Sequence, residues 1–325
     1  MSITVIIVNW NGGDLLQRCL SHLQMQSYQP ERILLMDNGS SDGSAQLAAQ
    51  VSGVTVRYLN ENLGFAAANN HALNECDTEW VALLNPDALP DKDWLLNLMK
   101  VSQQYPVISV FGSKQMQLGT PDKIDGKGDI YHISGLLWRD GYGKTQSDND
   151  NIGRAIFSPC ACAALYRLSA LKQVGGFDED FFCYVEDVDL GFRLQLNNYS
   201  ARYVPEAIVY HAGSASTGGL HSDFSVYHGH RNMVWTFIKN MPGILFWLLL
   251  PIHVVLNIIS IVYFSGRGQA RVIFKAKKDA IKGIPGMWRK RRTIQANRTV
   301  SSLKIWKILD KNIFILKSCR ASMDK

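Results

Sequence analysis

No Gly-x-x-x-x-Gly-Lys-Ser/Thr stretch occurs in the 325 residues, and no Gly-x-Gly-x-x-Gly follows the first apolar run. The first absence argues against a P-loop nucleotide hydrolase, the second against a standard dinucleotide dehydrogenase. Cysteine is sparse: six residues (Cys19, Cys76, Cys160, Cys162, Cys183, Cys319) with no evenly spaced framework. Cys160 and Cys162 form a C-x-C pair, but no second pair or nearby histidine completes a zinc site. Reduced structural thiols in a cytoplasmic protein are therefore expected. The N-terminal Met1-Ser-Ile-Thr-Val-Ile-Ile-Val-Asn9 has no basic residue, and its apolar run is too short for a secretory signal. Internal repeats and low-complexity tracts are also missing.

What is present is a globular composition, 46% hydrophobic and 19% charged, enough for a substantial core. The net charge of +6 conceals a split. Residues 1–265 carry 17 Lys and Arg against 25 Asp and Glu, whereas residues 266–325 carry 17 against three. Two regions of opposite sign imply two tasks.

Val5-Ile-Ile-Val8 is a continuous β-branched run, as in a strand buried on both faces of a parallel sheet. Helical spacing follows from Asp14 to Met25, then strands at 32–36, 54–59 and 80–84. Helices are expected from Ser41 or Asp42 to about Val51, and over 65–76. This alternation predicts right-handed βαβ units and a mostly parallel α/β sheet. Ligands bind beyond the carboxyl ends of such strands, and those ends are Asn9-Trp-Asn11, Asp37-Asn38, Asn60-Glu-Asn62 and Asn85-Pro-Asp87. Asn, Asp and Gly are ordinary turn residues taken singly; four polar ends on one edge point to a site.

Residues 113–157 are Gly- and Asp-rich with few apolar runs, which predicts a long excursion over the site. Alternation resumes over 161–166 and 203–210. Between them, Glu186, Asp187 and Asp189 share the first turn of a helix reaching about Leu196, where the helix dipole favours ionised carboxylates. Acidic first turns are common, but Gly175-Gly-Phe-Asp-Glu179 and Phe181-Phe182 just upstream make this one unusual, and it offers a general base. Asp87 follows a buried strand and a proline, a rigid place for a hard-cation ligand. His211 ends a later strand; a lone histidine is more often structural than a ligand.

In order along the chain, Val5-Ile-Ile-Val-Asn-Trp-Asn11, Met36-Asp-Asn-Gly-Ser-Ser-Asp-Gly43, Asn60-Glu-Asn-Leu-Gly-Phe65, Leu84-Asn-Pro-Asp87, Gly175-Gly-Phe-Asp-Glu179, Glu186-Asp-Val-Asp-Leu190 and His211-Ala-Gly-Ser214 resemble the motifs of family 2 inverting glycosyltransferases, above all their bacterial rhamnosyltransferase-like branch. Each motif is weak; their ordered combination over about 3–232 is specific. The resemblance implies a GT-A fold with a Rossmann-like mixed sheet. It places Val8, Asn9, Trp10, Asp37, Asn38, Asn62, Asn69 and Asn85 on the donor side. Asn38 stands where relatives often have Asp, and Asn69 where many have Arg. The family's D-x-D metal motif appears as Asn85-Pro-Asp87, keeping one carboxylate, with His211 where some relatives complete the shell of a Mg²⁺ or Mn²⁺ ion. Asp187 matches the catalytic base, and Glu186 and Asp189 are acceptor-side candidates. The implied donor is a nucleotide sugar, dTDP-rhamnose by branch. No Gln-x-x-Arg-Trp motif of processive relatives occurs, so one sugar per encounter is expected.

The expected organisation is a catalytic domain over 1–240 (nucleotide half to about 112, acceptor half 113–240) and a helical membrane-associating tail over 241–325. Residues 244–264 are near-continuously apolar and long enough to span a bilayer, with Pro251, His253, Asn257 and Ser260 interrupting. Beyond them, Ala270, Ile273, Phe274, Ile281 and Ile284 form an apolar face opposite Arg271, Lys275, Lys278 and Lys282, and residues 302–317 repeat the scheme. Basic amphipathic helices suit an anionic membrane surface. Nucleic acid, the other partner of basic tails, does not need such apolar faces. The expected location is the cytoplasmic face of the inner membrane, with a lipid-linked or polysaccharide acceptor. Two competing readings are a nucleotidyltransferase, which would carry a basic phosphate loop after the first strand, and a non-catalytic sugar-nucleotide-binding scaffold.

Overall fold

The computed structural model describes residues 1–213 and 221–312. Strand β1 (Ile3–Asn9) is buried at every position, as its unbroken apolar run requires. Helix α1 (Gly13–Gln24) turns Leu16, Cys19, Leu20 and Leu23 inward. Then come β2 (Arg32–Asp37), α2 (Ser44–Ala48), β3 (Val54–Tyr58), α3 (Gly64–Asn74) and β4 (Trp80–Leu84). Helix α2 is shorter than the expected 41–51. Its first-turn amide at Ser44 is taken by the Asp42 carboxylate at 3.1 Å, and Gly43 enters with φ +80°.

The chain continues through β5 (Ala88–Pro90), α4 (Trp94–Gln104), β6 (Val110–Gln117), β7 (Thr120–Gly126), β8 (Asp129–Tyr131), β9 (Leu137–Arg139), β10 (Ala155–Ile156), β11 (Ala163–Arg167) and α5 (Leu168–Gln173). It ends with α6 (Glu186–Leu196), β12 (Ala201–His211), α7 (Asp223–Asn240), α8 (Gly243–Gly266), α9 (Ala270–Ala296) and α10 (Ser302–Ile308). The main sheet runs β10-β12-β6-β11-β4-β1-β2-β3, with β5 and β7 attached to β12 and β6. Pairs β1–β2, β1–β4, β2–β3 and β6–β12 are parallel; β11 opposes both β4 and β6. The sheet is therefore mixed.

The long excursion expected over 113–157 is built of regular strands despite its few apolar runs. Strand β6 lies inside the sheet, and β7, β8 and β9 form antiparallel additions. Its polar letters are buried and paired: Ser113 Oγ accepts from Trp94 Nε1 at 2.8 Å, and the Gln115 amide donates to Cys160 O at 3.3 Å. Strand β6 also crosses the expected boundary between the two halves at 112/113.

Apolar clusters cover both faces of the sheet, one with α1 and α4, the other with α3, α5 and part of α6. A third joins the far face of α6 (Val188, Phe192, Leu196) to Trp235, Phe237, Phe246, Leu249, Met287 and Ile305 from the C-terminal helices. Residues on both sides of 240 thus share one core. Helix α8 buries Leu245, Phe246, Leu249, His253, Leu256, Ser260 and Phe264, a stripe at helical spacing along its full length. His253 stacks on Phe237 at 4.0 Å between centroids, and its Nδ1 meets Ser134 O at 2.8 Å. The opposite face exposes Ile244, Trp247, Leu248, Ile252, Val255, Ile258, Ile259 and Val262.

In α9 the buried stripe is Ile273, Ala276, Lys277, Ala280, Met287 and Arg291. The apolar face expected there divides, because packing follows that heptad-like stripe: Ile273 is buried and Ile284 packs on the core, whereas Phe274 and Ile281 are exposed. Helix α10 covers the start of the second expected basic helix; residues 313–317 of it, like Ser214 and Cys319, lie outside the described residues. The other five cysteines are free.

Candidate active site

The polar ends of β1, β2 and β4 converge on a cavity of about 600 Å³ that also takes in His211 from β12, the first turn of α6 and one face of α7. Its two ends differ in chemistry. Val8, Trp10, Asn38, Asn62, Asn85 and Asp87 line one end, all from the sheet's carboxyl edge. Val8 and Trp10 belong to one strand end, where the pleat sends alternate side chains to the same face.

Side chains that brace this edge are distinct from those that face the cavity. Asn9 Nδ2 donates to Asp37 Oδ1 at 3.0 Å and to the Ser40 and Ser44 hydroxyls at 3.1 and 3.0 Å, while its Oδ1 accepts from Gly12 N at 3.2 Å. Asp37 also accepts from Ser40 N at 3.3 Å. Asn69 donates to Phe65 O at 2.8 Å within α3. None of Asn9, Asp37 and Asn69 lines the cavity. Asn38 does, yet its amide is engaged: Nδ2 donates to Asn62 Oδ1 at 2.9 Å and Gly64 O at 3.3 Å, and Oδ1 accepts from Leu63 N at 2.9 Å. One Oδ1 lone pair remains for a ligand N–H.

Asp87 and His211 meet at the centre. His211 Nδ1 lies 2.9 Å from Asp125 Oδ2, and Arg139 holds that carboxylate at 2.7 Å. His211 Nε2 is buried, 3.3 Å from Asp87 Oδ1 and without hydrogen-bond geometry among the described residues. Burial works to lower the imidazole's proton affinity; Cys162 and the flanking Asp125 and Asp87 carboxylates more than reverse this and hold it well above its ordinary value. Among the described residues no three His, Cys, Asp or Glu side chains form a ready-made metal cage. Mg²⁺-type sites commonly use one or two carboxylates plus substrate phosphates; with Nδ1–H fixed by a carboxylate, Nε2 is the ligand atom once a cation displaces the proton that the carboxylates favour there. The donor set therefore fits a hard divalent cation shared with a diphosphate.

The acidic turn separates into three roles. Asp187 lines the cavity; its Oδ2 accepts from Ala161 N at 3.1 Å and its Oδ1 from Val188 N at 2.8 Å, each oxygen keeping a lone pair. Glu186 is buried at the same wall, and burial, then the Asp187 charge, pushes its carboxyl well above the usual range. Asp129 from β8, 3.1 Å from Ser158 Oγ, is raised for the same reasons. Both raised carboxyls thus lie beside Asp187. Asp189, expected on the acceptor side, is fully buried in ion pairs with Arg193 Nε at 2.9 Å and Lys239 Nζ at 2.7 Å, off the cavity.

The approach to Asp187 is strained. Phe182, Tyr184 and Val185 have φ of 65°, 63° and 71°, a region costly for bulky residues and common at ligand sites. Gly64 makes this possible: at φ +86°, a Cβ there would lie 2.5 Å from Phe182 Cδ2, and Ala66 N donates to Phe182 O at 3.1 Å. The excursion expected over 113–157 does cover the site, through Asp129, Trp138, Arg139 and Tyr142, although the sequence singled out none of these, nor Asp125, nor the α7 face. Isolated aspartates in Lys123-Ile-Asp-Gly126 and Gly128-Asp-Ile130 were the available signal.

Comparison with known proteins agrees with this geometry. The sequence profile of Glycosyl transferase family 2 matches residues 4–175. The chain is 30% identical over 244 residues to the N-acetylglucosaminyl-diphospho-decaprenol L-rhamnosyltransferase of Mycobacterium tuberculosis, covering 66% of this chain and 78% of that protein. It is 24% identical over 218 residues to the O-antigen chain rhamnosyltransferase RfbN of Salmonella typhimurium, covering 65% and 67%. In fold it is similar to the Pyrobaculum calidifontis mannosyltransferase PcManGT in complex with GDP-Man and Mn²⁺, with a TM-score of 0.54, 18% identity and 91% of this chain and 84% of that chain covered. It also resembles GalNAc-T7 with UDP, GalNAc and Mn²⁺, at a TM-score of 0.59, 14% identity and 74% and 48% coverage. A mixed sheet of this fold, a polar strand-end cavity carrying the ordered motifs, and a profile match over half the chain have one reading: the chain belongs to glycosyl transferase family 2, on its rhamnosyltransferase-like side.

Proposed function

We propose that this glycosyltransferase moves one sugar, rhamnose, from a nucleoside-diphosphate donor such as dTDP-rhamnose to a lipid-linked oligosaccharide or polysaccharide precursor, with inversion. The carrying observation is that Asp187 shares one cavity with Asp87, His211 and the strand-end asparagines. The Mycobacterium tuberculosis relative, named for a diphospho-decaprenol acceptor, supports the acceptor class. Asp187 takes the acceptor hydroxyl proton as that oxygen bonds to the anomeric carbon, and the carbon–oxygen bond to the diphosphate breaks with its electron pair. Asp87 and His211 would hold Mg²⁺ or Mn²⁺, which stabilises the departing diphosphate as a Lewis acid. Asp125 keeps the imidazole oriented. Calorimetric titration with dTDP and UDP, with and without Mn²⁺, tests the donor side: Asp87→Ala should lose the Mn²⁺-dependent part of the affinity. Equal nucleotide affinity with and without Mn²⁺ in the parent protein would remove the metal from this reading.

The membrane reading rests on α8. A helix packed along its whole length on a folded core cannot also be encircled by lipid, so we place α8 in the plane of the bilayer surface at the cytoplasmic face, its exposed apolar side in the headgroup–acyl boundary. Arg271, Lys275, Lys278 and Lys282 on α9 add attraction of about 1 kcal/mol each near an anionic surface. Replacing the exposed Trp247, Val255 and Val262 by Asp should leave the fold intact, since none is buried, and should abolish flotation with anionic vesicles at high salt. Undiminished flotation of that folded variant would refute this placement.

A further inference from the structure

The α7 end of the cavity is unlike the rest. Helix α7 presents Phe224, Ser225, Val226, Gly229, His230 and Met233 to it, and α8 adds Phe264; the Ser225 hydroxyl is taken up by the helix start, donating to Ser222 O at 2.9 Å. From Phe224 to Met233 this face extends about 13 Å at the helical rise. It carries no carboxylate and no lysine or arginine. Burial, helped by Lys277, pushes the His230 imidazole down to about 3, so it is uncharged at neutral pH. A nucleotide or a bare glycan would find few hydrogen-bond partners here.

Gly229 is the telling residue. It lies in the interior of an 18-residue helix, where glycine costs roughly 0.5–1 kcal/mol relative to alanine. Its φ is not positive, and among the described residues no atom lies within 4 Å of where a Cβ would be. Neither backbone nor packing demands glycine; its effect is to deepen the floor of an apolar arm that starts beside Asp187. Phe264 of α8 closes this end, its ring 4.7 Å from the His230 ring and packed with Val226 and Ile273; the outward face of α8 is the apolar stripe. The arm therefore leads from the reacting centre to the helix placed at the membrane.

We propose that this arm, floored by Gly229, binds the isoprenoid chain next to the diphosphate of a lipid-linked acceptor. The inference rests on the glycosyl-transfer reading above and goes further by assigning the acceptor's apolar part to a defined site. A chain seated here keeps its diphosphate-linked sugar near Asp187 while the remaining isoprene units pass along α8 towards lipid.

The full-length protein and a diazirine-bearing farnesyl diphosphate test this. Photolysis should label peptides containing residues 224–233 and Phe264, and unlabelled farnesyl diphosphate should compete at least roughly tenfold better than inorganic diphosphate. Gly229→Leu, whose Cβ would meet no packed neighbour within 4 Å among the described residues, should reduce labelling roughly tenfold or more while leaving dTDP or UDP affinity unchanged. Labelling that maps elsewhere, or inorganic diphosphate competing equally well, overturns the proposal. So does a folded Gly229→Leu protein that labels as the parent does. The mapping alone decides should that variant not fold. Nucleotide binding without isoprenoid labelling would sink the arm and spare the glycosyltransferase reading; absence of nucleotide binding would count against that reading instead.

Discussion

Asp187→Asn is expected to lower sugar transfer by about 10²–10⁴-fold, the usual contribution of a general base, while nucleotide affinity and melting temperature stay near those of the parent. The structure separates these effects. The Asp187 carboxylate is in the cavity, and among the described residues it accepts hydrogen bonds from just two backbone amides, Ala161 N and Val188 N. The end proposed for the nucleotide is lined by Val8, Trp10, Asn38 and Asn62, on other elements. Steady-state kinetics with a radiolabelled donor, alongside nucleotide titration, measures both quantities. Near-parental kcat in a folded variant would remove Asp187 as the base.

Two residues along the same helical turn, the expectation reverses. Asp189→Ala should destabilise the protein by about 3–5 kcal/mol, because removing one partner leaves buried charges uncompensated. Total stabilities are about 5–15 kcal/mol, so the variant should be recovered poorly. Asp189 is fully buried, bonded to Arg193, Lys239 and, at 2.7 Å, Asn240 Nδ2. Lys239 also pairs with Asp178, which Lys290 of α9 holds in turn. Burial acts to raise the Asp178 carboxyl, but the two lysines outweigh it and bring it to about 2. Its folded value lies below the unfolded 3.8, so its stabilisation is present above the unfolded value and is lost as pH falls towards 2. Chemical denaturation of Asp189→Ala at neutral pH is the measurement; a loss below 1 kcal/mol would show that the network does not hold α6 in place.

Much of the fold was legible because hydropathy writes it plainly. Strands β1, β2 and β4 are apolar runs ending in polar turns, and their ends do line the cavity. Strand β6 was not legible: Ser113, Lys114 and Gln115 are buried by pairing with Trp94, Asn151 and Cys160, so a central strand carries the letters of a loop. At the site, the sequence located the edge but not the orientation of each side chain. Asn9 and Asn85 are the same residue type at equivalent strand ends, yet one braces a turn and the other faces the cavity. The neighbours Asp187 and Asp189 differ likewise, one a candidate base and the other part of an ion-pair network. Such differences are set by contacts across the fold, from Asp125, Lys239 and Asn240, which local spacing does not encode.

The shared core beneath α6 also dictates an order of events during synthesis. Leu196 O receives Thr299 N at 3.0 Å, Asp310 N donates to Tyr131 O at 2.9 Å, and Val300, Ile305 and Leu309 complete the apolar floor under Phe192 and Leu196. On a ribosome, the sheet's parallel strands emerge first and have their own two clusters to bury. Helix α6, with the proposed base Asp187 on its first turn, waits for residues more than 100 positions downstream, Thr299 to Leu309. By then the apolar face of α8 has left the exit tunnel and can meet a bilayer. With α8 at the bilayer surface as proposed above, a nascent chain would reach lipid before α6 has its full core to pack against. Stalled chains extended by a linker after residue 296 or after residue 312 would show this as protease-sensitive and protease-resistant α6, respectively.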